Sequence, residues 1–360
     1  MKHLKSQNGG FLQGLNVVIT GGTGSLGQTL LRRILTGQKG IPKKVLIFSR
    51  DEARQHDLRL RYMKAKSPTE EIIYENFRKT LQFQIGDVRN IDSLEIALKD
   101  ADLIFHAAAM KQVPTCEYFP FEAVQTNILG AQNIVRAIQN HNLPVRKVIG
   151  ISTDKAVKPV NVMGMSKAIM EKIFTRANLD AKHTLFVNAR YGNVLASRGS
   201  VVPLFREQIR MGGPITITDR AMTRFLLSLE DAVDVILDAA LKGQAGETWI
   251  PCVPSAKVTD IAEAMVDMAG RKIPIRLTGI RPGEKLHEIL VSEEECHRAR
   301  RQANRVVIEP LLPELRQTLR KKTQGGTWLQ TEYSSADHVL SPQKVRDLLR
   351  SVETPQPFET

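Results

Sequence analysis

A carboxylic acid and an amine stand side by side at Asp154-Lys155, and a second amine, Lys167, follows about three helical turns' worth of chain later. A carboxyl group can give or take a proton, and an amine freed of its proton is a base. With the hydroxyl of Thr153 beside them, these residues make a proton-transfer set, useful if a redox cofactor lies nearby. An apolar run, residues 148–151, enters this stretch, and an amphipathic run, residues 168–174, leaves it. It therefore reads as the loop between a buried strand and a helix. Such loops, at the carboxyl edge of a parallel sheet, are where α/β enzymes keep their chemistry.

The elements that must position this loop begin with a strand over residues 15–20. It runs into Gly21-Gly22-Thr23-Gly24-Ser25-Leu26-Gly27, after which residues 28–35 read as a helix. Strand, glycine turn and helix together predict dinucleotide binding, because a pyrophosphate must approach backbone N–H groups at the positive end of the helix. A second strand, 44–48, ends in Ser49-Arg50-Asp51. An acid directly at the strand end favours NAD, whereas Ser49 and Arg50 come first here and can hold a 2′-phosphate, so NADP is expected over NAD. The competing reading is that Arg50 only opens a charged helix over 51–64.

A third strand, 81–85, leads to Asp87-Val88, where Asp87 could accept from the adenine amino group. A fourth, 102–106, ends in Ala107-Ala108-Ala109-Met110-Lys111, whose small residues let a cofactor lie against the backbone. A helix over 123–139 and a strand over 147–151 continue the alternation, and a further strand from 185 carries Asn193 to the same edge. This repetition predicts an α/β fold with a doubly wound, Rossmann-like parallel sheet. The expected division is a dinucleotide-binding domain over 12–190, a smaller substrate lobe over 191–300 interleaved with the sheet edge, and a C-terminal extension over 301–360.

At 360 residues, 42% hydrophobic and 25% charged, the chain can bury a large core. No apolar run approaches the roughly 18 to 20 residues that cross a bilayer, and residues 1–10 lack the apolar middle of a secretory signal. A cytoplasmic protein without a membrane span is expected. Cys116, Cys252 and Cys296 are far apart with no C-x-x-C pair, which argues against a disulfide framework and a metal site. The net charge of +13 is spread along the chain, apart from short runs at 298–301 and 320–322. It reads as solvated surface suited to diphosphate ligands rather than as a nucleic-acid interface.

With Gly21, Gly24 and Gly27, Asp87-Val88, His106-Ala107-Ala108-Ala109 and the Lys167 helix in this order, the chain resembles the extended short-chain dehydrogenase/reductase superfamily. More narrowly, Ser152-Thr153-Asp154-Lys155-Ala156, Met222-Thr223-Arg224-Phe225 and the run Arg281-Pro282-Gly283-Glu284-Lys285-Leu286-His287-Glu288 resemble the UDP-N-acetylglucosamine 4,6-dehydratases, of the soluble capsule and flagellin-sugar type. Most of the superfamily has Tyr four positions before the lysine. This chain has Met163, whose thioether cannot exchange a proton. Deprotonation of the sugar 4-hydroxyl then falls to Asp154, Lys155 or Thr153.

The resemblance implies tightly bound, recycled NADP, transient oxidation at C4, loss of water across C5 and C6, and return of the hydride to C6, with inversion at C5 expected over retention. Lys155 would take the C5 proton, its pKa lowered by burial beside Lys167. Asp154, kept protonated, would serve the leaving C6 hydroxyl. Lys167 would hold the nicotinamide ribose, while Asn193, Arg224, Arg281 and Glu284 would hold the nucleotide diphosphate and ribose, with Lys111 a further substrate contact. A homo-oligomer, dimer or hexamer, is implied as well. The rival activities are a nucleotide-sugar 4-epimerase and a non-catalytic NADP-binding regulator.

Overall fold

The structure, a computed structural model, describes residues 10–63, 68–181, 183–195, 200–320 and 325–353. Six strands, β1 (Asn16–Thr20), β2 (Lys44–Ser49), β3 (Leu81–Ile85), β4 (Leu103–His106), β5 (Lys147–Thr153) and β6 (Leu185–Tyr191), pair in parallel in the order β3-β2-β1-β4-β5-β6. Parallel strands covered on both faces are apolar throughout. Accordingly β2, β4, β5 and β6 are almost wholly buried, whereas β3, at the edge, is only partly covered. The strand order turns back between β1 and β4, so the loops leaving them diverge and open a crevice at the carboxyl edge.

Helices fill both faces. On one, Leu30, Leu31 and Ile34 of the helix Ser25–Leu35 meet Val235 and Ile236 of the helix Leu229–Lys242. On the other, Leu94, Ile134, Ile138, Met170 and Phe174 make a second core. The helix expected over 123–139 arrives in three pieces: Pro120–Ala123, a wide π-helical turn Val124–Leu129, and Gly130–Asn140. Such a turn re-aims side chains. Here it presents Asn127, whose amide bonds the N–H and carbonyl of Met110 and the hydroxyl of Ser166 at 2.8 to 2.9 Å.

The described residues among 301–353 add to the sheet and to the core of the smaller lobe. A strand Thr248–Pro251 adds in parallel to β6, and Arg305–Ile308, Ala299–Gln302 and Thr327–Trp328 follow antiparallel, giving ten strands. The physical reason is the sheet edge: without them the Thr248–Pro251 strand would expose a row of unpaired backbone groups. Tyr333–Ser334 pairs with Ile289–Val291. Val345 and Leu349 of the last helix, Pro342–Glu353, enter the core of the smaller lobe with Ile261 and Met265.

Two residues of the basic run 298–301 also turn inward. Arg300 is buried 3.3 Å from Glu247, and Arg298 donates to the carbonyl of Glu309. Among the described residues no helix is long and apolar enough to cross a membrane.

Candidate active site

The crevice floor is the glycine loop. Gly21 has φ +68°, a conformation side chains avoid, and a Cβ there would lie 2.7 Å from Ala108 Cα. Gly27 serves a different contact, since its Cβ would lie 2.5 Å from Gly22 Cα and push the helix off the loop. Gly24 caps the helix Ser25–Leu35 with no side-chain bond to its first N–H groups. A Cβ on Gly24 would have only the Gly21 carbonyl oxygen near it, at 3.4 Å. The positive helix end, where Ser25 and Leu26 form the first turn, is thus left to an external anion. Thr23 is buried in the loop and gives its carbonyl to Gln28. Ala107 N and Ala108 N bond Thr20 at 3.1 and 3.3 Å, which brings the end of β4 against the loop.

Above this floor, the Lys167 amine is buried and donates to the Met170 thioether at 3.2 Å. Burial lowers its pKa to about 8, against the opposing charge of Glu171. A buried amine bonded to so weak an acceptor fits a dinucleotide ribose, and the capless helix end after Gly24 fits a pyrophosphate. His106, also buried, bonds Thr20 Oγ1 at 2.9 Å, and burial with the Lys167 charge pushes its pKa down to about 3, so the ring is neutral. At the carboxyl ends of β2 and β3, Ser49 is buried and accepts from Gln55, Val88 sits in the core, and Asp51 caps the next helix. Asp87 is gripped by Arg89 at 2.7 Å, and the mostly exposed Arg50 lies 3.7 Å from it.

The proton-transfer residues lie where β5 ends. Asp154 is fully buried, and its Oδ1 accepts from Thr153 Oγ1 at 2.9 Å and Lys155 Nζ at 3.1 Å, while Oδ2 is buried without a partner among the described residues. Burial raises the Asp154 pKa, the Lys155 charge works against this, and the Glu288 carboxylate adds to it.

The expectation for Lys155 is corrected. Burial alone would lower its pKa, but Asp154 and Glu288, at 3.1 and 3.3 Å, outweigh burial and raise it. Lys167 is not among the groups that shift Lys155; the lowered lysine is Lys167 itself. Distance decides this, since two carboxylates in contact act far more strongly than a more distant cation.

Met163, at the tyrosine position, is enclosed by Cys116 and Ala123, with Met110, Val113 and Val162 packed around them. It fills a small apolar cluster. The helix Val162–Asp180 that carries it meets the Thr153-Asp154-Lys155 turn at Gly164, whose Cβ would lie 2.1 Å from the Lys155 carbonyl oxygen. Gly164→Ala is expected to cost about 1–3 kcal/mol of stability by this overpacking, readable as a lower denaturant midpoint.

The expected substrate residues divide. Asn193 follows β6 and leaves Oδ1 buried without a partner among the described residues. Arg224 is largely buried, donating to Thr223 O at 2.7 Å and lying 3.8 Å from Glu288. Arg281 and Glu284 form a turn in which the Arg281 N–H donates to the Glu284 carboxylate at 3.4 Å, and Lys111 is exposed. Sequence reasoning missed Asn161 and Glu288. Asn161 caps the Lys167 helix through Gly164 N and donates to Gly283 O, both at 2.8 Å, tying the helix to that turn. An Asn before a helix is a readable cap signal. Glu288 closes the run 281–288 quoted above, but nothing local in that run says that its carboxylate reaches Lys155.

A family model described as polysaccharide biosynthesis protein matches residues 17–310. The chain is 47% identical over 287 residues, 79% of each chain, to a UDP-glucose 4-epimerase of Rickettsia bellii (strain OSU 85-389). Among solved structures it is similar to Pen from Bacillus thuringiensis, with TM-score 0.82, 34% identity and coverage of 95% of this chain and 99% of that one. It is similar in fold to DesIV, a dTDP-glucose 4,6-dehydratase from Streptomyces venezuelae with NAD and TYD bound, with TM-score 0.64, 20% identity and coverage of 76% and 87%.

Proposed function

Because the chain belongs to the polysaccharide biosynthesis protein family and has the extended short-chain fold shared by nucleotide-sugar dehydratases and epimerases, we propose that it is a UDP-N-acetylglucosamine 4,6-dehydratase. The observation that carries this reading is the fully buried Asp154, its pKa raised by burial, joined to Lys155 with one carboxyl oxygen left without a partner among the described residues. Epimerisation at C4 needs a hydride acceptor and one base. Elimination of water needs a further acid and base, which this pair supplies.

Bound NADP would accept a hydride at the start of the cycle and return it at the end. Lys167 would hold its ribose through the buried amine, and the helix end after Gly24 its pyrophosphate. Asp154, whose pKa burial raises, would accept the proton that Lys155 gives up and pass it to the departing C6 hydroxyl. Lys155, resting as an ammonium, would act at C5 after passing a proton to a contacting carboxylate. The Thr153 hydroxyl, held on Asp154, would orient the sugar's reacting end. The exposed apolar Phe121, Leu129, Met165 and Ile169, on adjoining helices, support a homo-oligomer.

For the cofactor, Arg50 at the end of β2 supports NADP over NAD. Arg50→Ala is expected to weaken NADP binding about 10- to 100-fold, the worth of a hydrogen bond to a charged group, and to leave NAD binding nearly unchanged. Calorimetric titration with each dinucleotide checks this.

The names of the relatives favour a second reading, a UDP-sugar 4-epimerase. One experiment separates the two. Protein incubated with UDP-N-acetylglucosamine in deuterated water is expected to yield a C6 methyl group and deuterium at C5 in the proton NMR spectrum, with the coupling pattern of inversion. A sugar inverted at C4 with C5 still protonated would replace the dehydratase reading by the epimerase one.

A further inference from the structure

We propose that Glu288 is a positioning residue of this site, clamping the Lys155 ammonium against Asp154, and that Ser335 near the C-terminus holds Glu288 in place. The proposal deepens the reading above and rests on it for the role of Lys155.

The geometry is as follows. Glu288 is 3% exposed, its Oε1 lies 3.3 Å from Lys155 Nζ and 3.8 Å from Arg224 Nε, and Oε2 is buried without a partner among the described residues. Lys155 is thus held between two carboxylates, on Asp154 from its own turn and on Glu288 from the segment entering the strand Ile289–Val291. An amine pinned from two sides loses rotamer freedom and stays protonated. The other charged groups around it are Arg224 and, further out, Lys285 and Lys158. Lys285 donates to the Val157 carbonyl, and Lys158 pairs with Glu293 and Glu332.

Glu288 is not placed by its own loop. Ser335, fully buried, accepts from Glu288 N at 2.9 Å through its hydroxyl and donates its own N–H to Glu288 O at 2.8 Å. The same hydroxyl meets Thr223 Oγ1 at 2.6 Å, beside Arg224. One serine therefore holds the backbone of Glu288 and the side chain of Thr223, the residue before Arg224. It lies beyond residue 310, where the family match ends, so this support is contributed by a part of the chain outside the matched region.

The test reads Lys155 directly, without turnover. The purified protein is reductively methylated with formaldehyde over a range of pH, and labelling of individual lysines is followed by peptide mass spectrometry. Only neutral amine reacts, so Glu288→Gln, which keeps the shape and removes the charge, is expected to raise Lys155 labelling near neutral pH by about tenfold, because an opposite charge in contact favours the ammonium. Ser335→Ala is expected to raise it by a smaller factor. Lys172, exposed on the Lys167 helix, and Lys147, buried against the carbonyls of Ala240 and Gly243, are the internal references.

Unchanged Lys155 labelling in Glu288→Gln would overturn the proposal, as would a parallel rise at Lys147, which reports a loosened fold. Unchanged labelling in Ser335→Ala alone would remove Ser335 from it. Deuterium incorporation at C5 of UDP-N-acetylglucosamine, measured on the same samples, is expected to begin at lower pH in Glu288→Gln. If the wild-type protein incorporates none, the dehydratase reading fails while the labelling result for Glu288 stands.

Discussion

Asp154→Asn is expected to lower formation of the C6 methyl group about 10²- to 10⁴-fold, the usual worth of a positioned acid or base. The substitution is isosteric: an amide oxygen in the place of Oδ1 still accepts from Thr153 and Lys155. What is lost is the proton, because an amide has none to give to a leaving hydroxyl. Glu288 remains 3.3 Å from Lys155, so the amine keeps a partner and the turn its shape. Deuterium exchange at C5, which does not need the acid, is expected to fall much less. Proton NMR in deuterated water reads both quantities in one sample. Equal loss of methyl formation and C5 exchange would reassign Asp154 from acid to general positioning.

Arg190→Ala is expected to have the largest effect on stability, about 3–5 kcal/mol, as for any buried ion pair stripped of one partner. Arg190, near the end of β6, places its guanidinium between Glu171 of the Lys167 helix and Glu295, with two bonds to each at 2.7 to 2.9 Å and one to Leu290 O at 2.8 Å. All three side chains are largely buried, so removal of the cation leaves two carboxylates in a dry interior. Denaturant melts measure the loss, and an unchanged midpoint would contradict it.

The pH dependence follows from Glu295. Burial pushes its carboxyl up, but Arg190 outweighs this and lowers its pKa to about 2. A group depressed on folding stabilises the folded state above its unfolded pKa, roughly 4.3, and that contribution is lost as pH falls towards 2. Wild-type stability should decline across this window, and Arg190→Ala should flatten the decline.

Several parts of the molecule were legible because their signals are local. The glycine loop needs only a strand before it and a helix after it, and Gly21, Gly24 and Gly27 carry their conformational and packing demands in their own residue type. The doubly wound sheet follows from apolar runs alternating with helices, and the Asp154-Lys155 turn from its place between such a run and the Lys167 helix. The extra sheet strands after residue 298 were not legible, because short strands such as Arg305–Ile308 gain their identity only by covering an edge that other residues create.

The amino-acid sequence by itself determined the fold class, the glycine loop between strand and helix, and the identity of the acid, amine and thioether at the candidate centre, since each rests on residue chemistry and short-range periodicity. Only the tertiary structure decided how those groups are charged. Lys155 is an ammonium and not a ready base because Glu288, more than a hundred residues away along the chain, lies 3.3 Å from it, and electrostatic interaction depends on distance in space and on the dryness of the surroundings. The same holds for Ser335 and Arg190, whose roles are set by contacts with Glu288 and with Glu171 and Glu295 that the folded chain alone creates.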